Sequence, residues 1–140
     1  MVMKGSAVQV RSTAPLSISF MYPIGECQKV DIKQGAFYFG ISNRERSEGY
    51  LEFKPYTSLD IHNRSGGIEN LVQVKGSCVM VIFSNDRGEN YKLDPKNKLS
   101  IIPEGVWHIH SNPFSKKSLT YWHFEGDIRK IIENIKNSNK

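Results

Sequence analysis

The side chains best suited to chemistry in this 140-residue chain are three histidines and a glutamate, in two short clusters. His62 and Glu69 stand seven apart, with Gly76 closing their segment. His108 and His110 stand two apart, directly after the Pro103-Glu104-Gly105 turn. Imidazole nitrogens and a carboxylate oxygen are the donors that Fe(II), Mn(II), Ni(II) and Zn(II) accept. The two clusters are far apart in sequence, so they converge only if the chain folds back on itself. A Pro/Gly turn followed by a β-branched run puts His108 at the start of a strand, where it can point into a barrel. His110 then shares its face, because side chains alternate along a strand. His110 and His123 have two open readings, as ligands and as hydrogen-bonded core or rim residues. His110 could also complete a metal site, and His123 could point inward from its own strand.

The elements that must position these groups read as short strands. Residues 18–22, 30–32, 37–41, 50–53, 59–62, 71–74, 78–83, 91–93, 99–102, 107–111 and 119–124 are rich in aromatic and β-branched residues. Between them lie a charged loop at 43–49 and turn signals at Gly66-Gly67, Lys75-Gly76, Asn85-Asp86-Arg87-Gly88 and Asp94-Pro95-Lys96-Asn97. Strand 78–83 is continuously apolar, as expected for burial on both faces. Many short strands with turns every 8–12 residues predict an all-β sandwich or barrel. Only the tail reads as helix. Ile128, Ile131, Ile132 and Ile135 are spaced i, i+3, i+4, i+7 behind Asp127 as N-cap, a stripe fit to pack outside the barrel or to bind a partner. The predicted organisation is an extended or disordered arm at 1–16, a barrel at 17–126 and an amphipathic tail at 127–140. Gln9-Val10-Arg11 can be encoded by a transfer-RNA T-arm, so Met21 is an alternative start.

Composition narrows the function classes. The formal net charge is +5, and its basic residues are scattered rather than gathered in the stripe of a nucleic-acid surface. Direct nucleic-acid binding is not expected. Cys27 and Cys78 make no disulfide framework and no CxxC, which suits a reducing cytoplasm. Cys78 reads as inert core. No apolar stretch approaches the ~20 residues of a membrane helix, so no membrane role is expected.

Asn97, Pro103, Gly105, His108 and Asn112 match the spacing of the second motif of the cupin superfamily, with Asn97 in place of its opening glycine. Tyr56, His62, Arg64, Glu69 and Gly76 follow the first motif, with Tyr56 for its first glycine and Arg64 for its second histidine. Residues 50–126 thus resemble a small single-domain cupin, which implies an all-β cupin jelly-roll barrel with a short C-terminal helix. The resemblance implies His62, Glu69 and His108 as ligands of a divalent Fe, Mn, Ni or Zn, with a fourth ligand lost at Arg64. A guanidinium stays protonated and cannot ligate, so the metal is absent if Arg64 occupies the site. Arg64 would instead hold an anionic group or pair with Glu69. Leu119 to Gly126 also resembles the closing strand of the effector-binding cupin domain of arabinose-regulator (AraC-type) proteins, which bind sugars or similar molecules. Three functions follow from these resemblances. One is a small-molecule-binding cupin with a modified pocket lined by Arg64, His110, Tyr121 and His123, for a sugar-like or anionic ligand. The second is a metal-dependent isomerase or dioxygenase. The third is an effector sensor acting through a partner protein. Pairing of small cupins through a sheet edge or N-terminal strands implies a homodimer.

Overall fold

Strand follows strand because aromatic and β-branched residues alternate with polar ones, and the alternation sets which side faces the core. The computed structural model describes residues 9–11, 21–43, 45–61, 63, 68–84, 87–96, 99–102, 105–125, 133, 134 and 137. The strands are β1 (Gln9–Arg11), β2 (Gln28–Ile32), β3 (Gly35–Ser42), β4 (Ser47–Phe53), β5 (Thr57–Ser58), β6 (Glu69–Lys75), β7 (Cys78–Ser84), β8 (Arg87–Leu93), β9 (Leu99–Ile102), β10 (His108–Asn112) and β11 (Ser118–Phe124). All pairings are antiparallel. A seven-stranded sheet runs β1-β9-β6-β11-β4-β3-β2, and a four-stranded sheet runs β5-β10-β7-β8. The expected jelly-roll architecture is therefore present.

The core fills the space between the sheets. Phe37, Leu51, Phe53, Leu71, Trp122 and Phe124 come from the large sheet; Cys78, Met80, Ile82 and Leu93 come from the small one. The Phe39 ring meets Trp122 edge-on at 5.8 Å, a favoured geometry for aromatic pairs. One polar cluster admitted to this core is satisfied internally. Thr120 donates to Gln73 Oε1 at 2.7 Å and Gln73 donates to Ser118 at 2.9 Å, so the amide does not lose its hydrogen bonds on burial.

Several local expectations change. Strand 78–83 is not buried on both faces: Cys78, Met80 and Ile82 are buried, but Val79, Val81 and Phe83 on the other face are only half-buried. The strands enclosed on both sides are β4, β6 and β11, in the middle of the larger sheet. The charged loop is shorter than expected, because Ser47, Glu48 and Gly49 already pair with β11. Arg87 and Gly88 belong to a strand opposite Ser84 and Phe83, not to a loop. Residues 59–61 are not strand; only Thr57 and Ser58 pair with β10. Within the predicted arm, Gln9–Arg11 is an edge strand against β9. Most of the strand expected at 18–22 lies outside the described residues. So do the four isoleucines of the tail, in which Glu133, Asn134 and Asn137 are helical. Among the described residues no helix is long and apolar enough to cross a membrane.

Candidate functional site

The inner end of the site is built from the first residues of two strands in different sheets. Glu69 opens β6 and His108 opens β10, and both side chains face the space between the sheets. Glu69 Oε1 lies 3.6 Å from His108 Nε2, with side chains only 6% and 1% exposed. Behind His108, Nδ1 sits 2.9 Å from the Val106 carbonyl oxygen. A carbonyl can only accept, so Nδ1 carries the proton and donates it. In the neutral ring the Nε2 lone pair is thereby aimed at the Glu69 side. A backbone carbonyl fixing the far nitrogen is the arrangement that orients metal-ligating histidines. The turn ahead of it is held in place: Gly105 has φ +79°, Asn63 Nδ2 reaches the Gly105 carbonyl at 3.5 Å, and the Phe83 N–H donates to the Trp107 carbonyl. Gly76 closes the first segment with φ +64°, and a Cβ there would stand 2.3 Å from the Lys117 carbonyl oxygen.

Farther along β10, His110 shares the inward face as expected and is buried. Its ring meets Phe53 edge-on at 5.0 Å. Among the described residues no three His, Cys, Asp or Glu gather closely enough to hold a metal ion. Asn112 ends the strand and is fully buried. Its amide donates to the Lys54 and Lys116 carbonyls at 3.2 and 2.8 Å, and its Oδ1 accepts the Phe114 N–H at 3.0 Å. That asparagine is a structural clamp, and it explains the last position of the second motif. Trp107 is half exposed. His62 and Arg64 lie outside the described residues.

Tyr121 and His123 are not brought to this pocket. In an antiparallel pair directly opposed residues face the same side. Phe124 opposes Glu69, whereas His123 opposes Asn70 and Glu48. His123 and Tyr121 therefore lie on the outer face of the seven-stranded sheet, and the inward positions of β11 go to Trp122 and Phe124. On that outer face the Tyr121 hydroxyl donates to Glu48 Oε1. Glu48 Oε2 lies 3.7 Å from His123 Nε2 and 3.3 Å from Arg46 Nε. The Tyr121 oxygen accepts the Tyr22 N–H at 3.2 Å, and Tyr50 donates to the Tyr22 carbonyl at 2.8 Å. Burial, then the bond to Glu48, pushes the Tyr121 hydroxyl well above the ordinary tyrosine range. Sequence reasoning missed Glu48 because it sat inside the supposed charged loop. The period-two pattern Glu48, Tyr50, Glu52 was the signal that could have placed it on a strand.

Comparison with known proteins agrees with this architecture. No protein-family model matches the chain, and no curated protein matches it by sequence. Among solved structures, the oxalate decarboxylase of Lactobacillus farciminis in its formate complex is similar at a TM-score of 0.64 and 14% identity, over 74% of this chain and 32% of that one. The capsular polysaccharide assembling protein CapF of Staphylococcus aureus is similar at 0.63 and 19%, over 78% and 30%. The oxalate decarboxylase of Bacillus subtilis, described with Mn(II) centres, is similar at 0.64 and 14%, over 74% and 29%. The chain spans about a third of the length of these neighbours, all of which have the cupin fold. The fold of this chain is likewise the cupin jelly roll.

Proposed function

We propose that this cupin-fold chain binds a small molecule between its two sheets, at the end marked by Glu69 and His108, with a divalent cation as part of the site. One observation carries the reading. A buried imidazole, oriented from behind by the Val106 carbonyl, points Nε2 at a buried carboxylate 3.6 Å away. Two ligands each bound at about 2.0–2.2 Å to one cation stand at about this separation. The donor set therefore fits a metal, and His62 is the third ligand that the sequence motif supplies. When bound, such a cation acts as a Lewis acid or as an anchor for a ligand oxygen. The chain's own part is to hold the imidazole in one tautomer and to keep both groups away from bulk water. Arg64 adds a permanent positive charge to the same segment, which favours a ligand carrying a carboxylate or phosphate.

Elemental analysis of protein purified and then dialysed against Mn(II), Fe(II), Ni(II) or Zn(II) tests this. Manganese is the first cation to try, given the Mn(II) centres of the Bacillus subtilis neighbour. Stoichiometric metal that is lost in His108→Ala supports the reading, and Arg64→His should tighten uptake. If no divalent cation is retained and none raises the melting temperature, the metal part of the proposal is wrong. The anion-binding part then stands or falls on whether small dicarboxylates and phosphate stabilise the wild type more than Arg64→Ala.

A further inference from the structure

Tyr56 is the only non-glycine among the described residues whose φ is positive, at 58°. It stands where the first cupin motif has glycine. A tyrosine in the left-handed region is strained by its Cβ, and glycine is not. Packing does not repay that strain, because Tyr56 is 72% exposed. Its N–H is held by the Phe114 carbonyl at 3.3 Å, so the backbone is fixed in this shape whatever the side chain does. The ring forms one wall of an open cavity of about 340 Å³, otherwise lined by Thr57, Ser58, Ser111, Asn112 and Pro113. That volume is in the range of small-ligand sites. The cavity lies at the β5–β10 edge of the small sheet. It is four residues along β10 from His108, roughly 13 Å at the rise of a strand, and Ser111 points to the opposite side from His108 and His110.

The geometry points to a second binding site here, separate from the Glu69–His108 end, that takes a neutral pyranose ring. A sugar presents an apolar C–H face edged by hydroxyls. The exposed Tyr56 ring and Pro113 offer the apolar wall. The hydroxyls of Ser58 and Ser111, directly opposed across β5 and β10 and so on one face, already donate to the carbonyls of Leu59 and Val79. Their oxygens are thereby turned into oriented acceptors for sugar O–H groups. No charged side chain lines the cavity, which argues for a neutral ligand over an anion or a cation. The strained tyrosine is kept, on this account, for what it touches outside the chain.

The test is a nuclear magnetic resonance titration of the isotope-labelled full chain with the methyl pyranosides of glucose, galactose and mannose at millimolar concentration. Shift changes at the Thr57, Ser58 and Ser111 amides, with His108 unmoved, are expected for at least one sugar. Tyr56→Gly should keep or raise the melting temperature while weakening that binding by about tenfold or more, and Tyr56→Phe should retain it. His108→Ala should leave it unchanged, which separates this site from the inner one. The inference is overturned if none of the three sugars moves these amides, if Tyr56→Gly binds as well as wild type, or if Tyr56→Gly melts lower because the ring is structural.

Discussion

Two histidine–glutamate pairs of nearly equal spacing lie on opposite faces of the seven-stranded sheet. Glu69–His108 is 3.6 Å apart and Glu48–His123 is 3.7 Å apart, and all four side chains are buried. The inner pair bridges two sheets, so its spacing depends on how those sheets pack. The outer pair is a cross-strand neighbour pair in one sheet, fixed by the register of β4 on β11. In the inner pair the imidazole is oriented by a carbonyl behind it. In the outer pair His123 Nδ1 has no hydrogen-bond partner among the described residues, and the order lies on the carboxylate instead. Glu48 serves Tyr121, Arg46 and His123 together. The same two functional groups are thus spent differently. The outer carboxylate is shared among three partners, one of which, Tyr121, ties the Tyr22 segment to the sheet, whereas the inner imidazole is oriented from behind by the Val106 carbonyl.

Stability measurements should separate the pairs most sharply at Glu48. Glu48→Ala leaves the buried Tyr121 hydroxyl without its acceptor and removes the carboxylate beside His123 and Arg46, and should cost about 3 kcal/mol in urea unfolding. An equal loss in Glu69→Gln would break the comparison, because the inner pair would then be structural as well. Tyr121→Phe removes one hydrogen bond to a charged group and should cost about 2 kcal/mol, with increased hydrogen exchange at the Tyr22 amide. If that amide exchanges as before, the outer network does not hold the segment. For the inner pair, Glu69→Gln and His108→Gln should change stability by less than about 1 kcal/mol while abolishing the shift in melting temperature caused by Mn(II), since groups kept for binding contribute little to folding.

The smallest expected effect belongs to neither pair and serves as a control. Burial pushes the Cys78 thiol up to about 12 from an ordinary value of 9.0. Above pH 9 the unfolded chain loses this proton while the folded chain keeps it, so stability falls as pH rises towards 12. At pH 9.5 the loss from this group is under about 1 kcal/mol, and Cys78→Ala should flatten that part of the stability curve. A slope that persists in Cys78→Ala would assign the alkaline loss to other groups.

Much of the fold was legible because strand periodicity is local. The β3, β9 and β11 segments were readable from their apolar residues alone, and the spacing of Pro103, Gly105, His108 and Asn112 identified one motif. The misreadings share a cause. Residues 78–83 read as doubly buried because apolar runs do not reveal what covers each face; Val79, Val81 and Phe83 are only half-buried. Ser47 to Gly49 read as loop because charge outweighed alternation, yet Glu48 is buried by partners from another strand.

The jelly roll was implied by the resemblance to cupins; by itself the sequence determined that the chain is an all-β sandwich or barrel and that His108 opens a strand whose face His110 shares. It did so because turn chemistry and two-residue alternation are properties of neighbouring residues. Only the tertiary structure decided that Glu69 meets His108, that His123 and Tyr121 turn outward to Glu48, and that Tyr56 keeps a glycine's backbone at the edge of a cavity. Those outcomes depend on sheet packing and strand register, and a shift of one residue in register moves every side chain of a strand to the other face.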